Sequence, residues 1–349
     1  MRRTFYASTL ALLLGAAALA QTANAQGTRR AVNPKTAAPA QSALAQTALG
    51  QLPLPAADAL LVLDVRTLFA EVIPRSLASD KARLAQVGAD VDEFKARTGI
   101  DARAFDLLAV GVRIVALESG ATKIDRVTAV ARGRFQTEAL VASARAAAKG
   151  GLAEQTHGGK KVYVATVNDQ LKLFGLAKMR VKELAFSVLD PNTLALGEPE
   201  DVRAAIDAQA GRNRADMSLL NFPRGAGDFL AYGGNIPAGA FAGVETGLSA
   251  NVDRAVASIR GVYGTVGSTP TGLQMMTALR AGTAGDAKQL FDVVNALRQI
   301  APGFISVAGE RWSFARGMVD KMAITTKGTE VQLRLEVPQN DIATVLKAL

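Results

Sequence analysis

Between Leu184 and Ala208 the spacing of apolar residues changes period once. Phe186, Val188, Leu194 and Leu196 sit at alternate positions that suit pleated strands, and Asp190-Pro191-Asn192 between them carries turn chemistry. From Pro199 the period lengthens. Pro199 presets the dihedral of a first helical turn, and Glu198, Glu200 and Asp201 gather at that helix's positive end. Val202, Ala205 and Ile206 then make an i, i+3, i+4 stripe, which polar Gln209 closes. The same order of strand, turn, strand, proline and helix returns at the C-terminus, with a turn at Lys327-Gly328 and Pro338 after the second strand. There Val331, Leu333, Leu335 and Val337 alternate with Glu330, Gln332, Arg334 and Glu336, the pattern of a sheet with one wet face. Helices covering the other face give an α+β fold of two similar halves, each built of antiparallel strand hairpins followed by a packing helix.

The rest of the chain fits that frame, with halves expected at 56–211 and 225–349. In the first, Ala57–Val65 is apolar enough for a buried strand. Arg66–Leu77 reads as a helix interrupted by Pro74, and Ser79 is a candidate cap for a helix carrying Leu84, Val87, Val91 and Phe94 on one face up to Thr98-Gly99. Phe105–Val115 and Lys123–Phe135 pair as a hairpin around Glu118-Ser119-Gly120. An Ala-rich helix follows over Thr137–Ala148, then a short strand at Lys161–Thr166, and Val167–Lys182 is the least regular part. Arg212–Phe222 reads as a linker with some helix. The second half shows a strand at Phe229–Tyr232, a loop to about Gly247, a hairpin of Ser258–Val266 with Gly272–Ala281, a helix over Asp286–Arg298 and a loop over Pro302–Gly317.

Composition narrows the chemistry. The chain of 349 residues has no cysteine and one histidine, which excludes disulfides, thiolate metal sites, a lipid-modified cysteine and His-pair zinc motifs. Residues 1–25 read as an export signal: Arg2 and Arg3, a short apolar core over Leu10–Ala20, and Ala23-Asn24-Ala25 for cleavage after Ala25 into the periplasm. Loss of its two arginines takes the formal net charge from +9 to +7, a basic surface that suits anionic lipid or polysaccharide, and nucleic acid is not expected. Residues 26–55, rich in Ala, Gln, Thr and Pro, read as a flexible leader.

Candidate motifs are weak. Gly261–Gly267 has the wrong glycine spacing for a dinucleotide fingerprint and precedes a strand, so hairpin packing is the better reading. His157-Gly158-Gly159-Lys160-Lys161 lacks the leading glycine and trailing hydroxyl of a phosphate loop. It reads as a hairpin loop, with His157 exposed and no partner visible in sequence. Asp90, Asp92, Glu93, Asp101 and Asp106 lack calcium-loop spacing and suit a solvated face. Asp64 and Asp125 are candidates for structural pairing with Arg66 and Arg126. In Lys172–Leu184 the apolar Phe174, Leu176 and Met179 interleave with Lys172, Arg180 and Lys182. This is the candidate membrane or partner contact, against the favoured alternative of a core segment with lysines snorkelling at its rim.

The stretches LPAADALLVLDVRTL, EFKARTGIDARAFD, GVRIV, KIDRVTAVARGRF, GKKVYV, QLKLFGLAKMRV and LDPNTLALG resemble those of uncharacterised exported bacterial proteins of an acidobacterial type. The resemblance covers most of Leu52–Ala208 and implies export without an established activity. Together these features lead us to expect a non-catalytic envelope binding or interaction protein, with no cofactor or metal. Its expected partner is an envelope protein or an anionic membrane surface. The alternative is a carrier of an apolar, lipid-like ligand between sheet and helices.

Overall fold

The computed structural model describes residues 49–98, 101–116, 122–148, 151–173, 177–237, 239–241, 246–308, 314–339 and 341–342. The signal segment, the leader up to residue 48, and residues 343–349 lie outside these. Among the described residues, twelve strands form one antiparallel sheet in the order β11-β12-β10-β9-β8-β1-β2-β3-β7-β6-β5-β4. The first half supplies β1 (Ala59–Asp64), β2 (Phe105–Ala116), β3 (Thr122–Gly133), β4 (Leu152–His157), β5 (Lys160–Leu173), β6 (Ala177–Asp190) and β7 (Thr193–Gly197). The second supplies β8 (Asp228–Asn235), β9 (Ile259–Thr269), β10 (Gly272–Ala281), β11 (Ala323–Lys327) and β12 (Glu330–Pro338). The halves are joined strand to strand, with Leu61 opposite Tyr232 in the β1–β8 pair.

Helix α1 begins as Val65–Thr67, widens to a π-helical turn over Leu68–Val72 and ends as Ile73–Ser76. Pro74 explains the widening. It has no N–H to donate and crowds the turn before it, and an extra residue there relieves both, with Ile73 N–H bonding Leu68 O. The expected interruption is therefore a bulge within one continuous helical run. Helix α2 (Lys81–Thr98) is capped by Asp80, whose carboxylate accepts from Arg83 N at 3.0 Å, so Asp80 takes the role expected of Ser79. The remaining helices are α3 (Thr137–Ala147), α4 (Pro199–Gln209), α5 (Ala250–Ala257), α6 (Ala284–Ala308) and α7 (Phe314–Lys321).

Strand alternation divides the core between the two sheet faces. On one face of the first half Leu60, Val62, Ala109 and Val130 meet Val202, Ala205 and Ile206 of α4. On the other, Phe105, Tyr163, Phe186 and Leu194 meet Val65 of α1 and Leu140 of α3. Tyr232, paired with Leu61 and so on the face of α1, joins Val262, Ala287 and Leu290 under α5 and α6. Past β12, Ile342 packs with Met275, Leu335 and Val337 on that same face. The segments after the two terminal hairpins therefore lie on opposite faces of the sheet. The expected likeness of the two terminal units does not extend to the segments that follow their hairpins.

Several expectations are corrected. The leader does not extend to residue 55: Leu49, Leu52 and Leu54 are 2%, 0% and 0% exposed in the core under α4, and Ala215 N–H bonds Leu54 O. Val167–Lys182, expected to be irregular, lies in the long strands β5 and β6, with residues 174–176 outside the described residues. Helix α5 fills the stretch between the loop expected to end near Gly247 and the strand expected from Ser258, for which the sequence suggested no element. Ser249 caps it, and Asp253 accepts from Thr246 N and Oγ1 at 2.8 and 2.6 Å. Helix α6 runs on through Pro302, because packing against α7 outweighs the hydrogen bond that proline forfeits.

Gly233 shows how tightly the layers meet. A Cβ there would stand 1.7 Å from the carbonyl oxygen of Leu219, in the 3₁₀ turn Met217–Leu220 lying on β8. Gly233→Ala is expected to cost several kcal/mol, on the order of other overpacked core sites, read as a lower denaturation midpoint. An unchanged midpoint would show that the turn can lift off the strand.

Candidate interaction surface

The hairpin tips at one end of the first half extend beyond their neighbours. β4 pairs with β5 no further than Ala165, and β7 reaches only Ala185 on β6. Beyond those residues β5 and β6 continue to pair with each other as far as Leu173 and Ala177. Thr166–Glu183 is thus a two-stranded ribbon with no third strand paired to it among the described residues, and each arm is about 25 Å long. A register shift between Thr166 and Asp169 marks where it leaves the sheet.

Within the ribbon Leu171 stands opposite Met179, Lys172 opposite Lys178, and Gln170 opposite Arg180. Phe174 and Leu176 of the expected contact lie outside the described residues. The tip of β2–β3 projects at the same end, since β1 stops pairing at Val112 and β7 at Ala129. It carries the Arg113–Arg126 and Ile114–Ile124 pairs, and Ile124 is 53% exposed. Arg113 lies 3.5 Å from Asp58, and Arg126 lies 3.9 Å from Asp201 and 4.0 Å from Asp125.

Asp201 is a buried charge site, where the sequence alone shows only a helix-dipole partner. Its side chain is 3% exposed and accepts from Glu198 N–H at the start of α4. Burial pushes its pKa up to about 6, against the opposing pull of Arg126.

The other candidates resolve into structural contacts. His157 is the last residue of β4, half-buried, with Nε2 3.0 Å from Asp207 Oδ1 on α4. Arg212 also bonds Asp207, and these partners hold its carboxylate below the usual range. The pair pins the β4–β5 turn to α4, and its fifty-residue separation hides it in the sequence. Gly158 and Gly159 form that turn with φ of 54° and 76°, the left-handed conformation that a two-residue hairpin of this twist needs. Gly261–Gly267 runs through β9 and opens no helix. Asp64 caps α1 through Thr67 N at 2.8 Å, while Arg66 pairs with Asp106. Asp92 pairs with Arg103, and Asp101 with Lys95 and Arg103, while Asp90 accepts from Gln86. The acidic run is thus taken up by hydrogen bonds and ion pairs. Among the described residues no cluster of three or more His, Cys, Asp or Glu side chains could hold a metal, and no helix is long and apolar enough to cross a membrane. A shallow groove of about 390 Å³ is lined by Arg134, Phe135, Gln136 and Asn192, a largely polar set. On the second half the sheet face turned away from the helices carries Glu330, Gln332, Arg334 and Glu336, the wet face that the alternation predicted.

No family model and no curated protein matches this chain. Among solved structures it is similar to crystal forms III and I of TP0453, each at TM-score 0.44 and 10% identity, and to form IV at 0.45 and 8%. These alignments cover 86%, 85% and 86% of this chain and 97%, 96% and 96% of the respective TP0453 chains.

Proposed function

We propose that this is an exported, non-catalytic binding protein of the bacterial envelope, and that it acts through the end of the sheet where the two hairpin tips project. The observation that carries this reading is the ribbon Thr166–Glu183, which continues past both flanking strands. A lone two-stranded hairpin is at best marginally stable in water. One that extends this far is explained by a surface that covers it. The export signal at residues 1–25 and the basic balance of the chain support an envelope location. The groove at Arg134 is shallow and encloses no ligand-sized apolar cavity, so the carrier reading gains no support from it.

We further infer that the halves are related by duplication. Outward from the β1–β8 pair the order is β1-β2-β3-β7-β6 on one side and β8-β9-β10-β12-β11 on the other. In both, the helix after the third strand packs on the same face. β4, β5 and the placement of α4 are then additions of the first half, and they are what build and support the ribbon.

The test is fractionation of the producing cell, comparing the full chain with a variant in which 167–182 is replaced by Asn-Gly. The full chain is expected in the envelope fraction with Gln26 at its mature N-terminus, and the shortened variant, folded by circular dichroism, is expected to be released. An uncleaved cytoplasmic protein, or equal retention of both forms, would overturn the proposal.

A further inference from the structure

We propose that the groove at Arg134 is a binding site for an acidic polysaccharide, with one uronate residue of the sugar chain seated on it. Its walls are fixed by the backbone. Gly133 N–H bonds Asn192 O and Arg134 N–H bonds Ala104 O, each at 2.9 Å, and a Cβ at Gly133 would stand 2.3 Å from that same Ala104 oxygen. The β6–β7 turn and the connection from β3 to α3 are thereby locked side by side, and Asn192 N–H bonds the Asp190 carboxylate at 2.8 Å. The side chains of Arg134, Phe135, Gln136 and Asn192 line the space between them. Phe135 is the least exposed of the four, with its ring centre 5.9 Å from that of Phe105. Arg134, Gln136 and Asn192 are exposed, and no hydrogen bond or ion pair among the described residues takes up their side chains. Elsewhere in this half Arg66, Arg103, Arg145 and Arg212 each meet a carboxylate, so Arg134 stands out as a guanidinium left for a ligand.

The groups present select the ligand. A guanidinium is a planar fork that binds a carboxylate through two bonds at once. The carboxamides of Gln136 and Asn192 each carry a donor and an acceptor, which is what the neighbouring hydroxyls of a sugar require. The Phe135 ring adds apolar surface for the C–H face of a sugar. Together they describe a sugar that bears a carboxylate. The groove is shallow and open, so a polymer can lie across it without an end having to enter. Main-chain capture of a peptide uses a free strand edge or an apolar groove, whereas the walls here are a turn and the approach to a helix. The site is also separate from the ribbon. β6 starts in the ribbon at Ala177 and ends beside the groove at Asp190, 14 residues or about 45 Å of strand later. A protein held to the envelope by its ribbon would present this groove at the far end.

Calorimetric titration of the full-length mature protein with oligogalacturonate, with dextran and with polyglutamate of similar length tests this. Oligogalacturonate is expected to bind, more weakly as salt is raised, and dextran is not. Arg134→Gln should weaken the binding at least about tenfold, the loss of a charge-assisted bidentate pair, and Asn192→Ala should weaken it several-fold. Neither substitution removes a side-chain bond within the protein, so both variants should keep the parent's circular dichroism. Lys288→Gln, which removes an exposed charge on α6, should bind as the parent does. In nitrogen-15 spectra the amide shifts on adding oligogalacturonate should centre on Gly133, Arg134 and Asn192. Absence of binding, equal losses in Arg134→Gln and Lys288→Gln, or shifts centred elsewhere would overturn the proposal. Polyglutamate that binds as tightly, with the same sensitivity to Arg134, would overturn it too, by showing that the groove reads charge and not sugar.

Discussion

A chain beginning at Ala56 is expected to lose most of its stability relative to one beginning at Leu49. The seven residues between them carry three leucines that are at most 2% exposed, in the same cluster as Val62, Val130 and Val202. Truncating one such side chain to alanine costs about 2–5 kcal/mol. Deleting all three removes at least about 6 kcal/mol, comparable with the whole stability of an ordinary domain. The deletion also takes away the carbonyls of Gly50 and Leu52, to which Arg214 donates at 2.7 and 3.1 Å. Denaturant midpoints of the two chains, with Leu52→Ala in the longer one as an intermediate case, check this. Superimposable midpoints would mean that the segment rests on the sheet without stabilising it.

The second large effect concerns pH. Asp201 has a folded pKa of about 6 because burial disfavours its charge, against an ordinary value of 3.8. The folded protein therefore holds this proton more tightly than the unfolded chain does. The stabilising proton is present at low pH and is lost as pH rises through the interval from about 4 to 6. The penalty of the buried charge at neutral pH is then about 3 kcal/mol at most. Asp341, 4% exposed at the C-terminal end of the sheet with Lys321 nearby, is also raised to about 6 by burial and acts in the same direction. Asp101, Asp207 and Asp216 have lowered values and withdraw stability as pH falls below the usual carboxylate range. Stability should consequently be higher at pH 5 than at pH 7 and fall off below pH 4. Asp201→Asn keeps an acceptor for Glu198 N–H and should remove the share of the change between 5 and 7 that belongs to Asp201, leaving that of Asp341. A parent and variant with parallel pH profiles would show that Arg126 keeps Asp201 ionised throughout.

What is legible in the sequence is local. The Asp190-Pro191-Asn192 turn, the helix opening at Pro199 and the alternation in β12 rest on neighbouring residues, and their chemistry acts over a few positions. The end of the leader is illegible because Leu49, Leu52 and Leu54 stand among small and polar residues. Nothing nearby signals that their partners are Val130 and Ile206. The ribbon is obscure for a related reason. A mixture of Lys, Leu, Met and Val suits several periods, and only the pairing of β5 with β6 shows the segment to be strand. His157 and Asp207 meet through a turn and a helix that are each readable separately, while their contact is not.

β1 and β8 lie at the middle of the sheet, and each supplies the hydrogen-bonding edge that the other half lacks. Neither half is a finished object. The chain running from α4 to β8 holds those two edges together. Separated, either half would present a bare central strand, and the antiparallel partner nearest to hand would be the same strand of another copy.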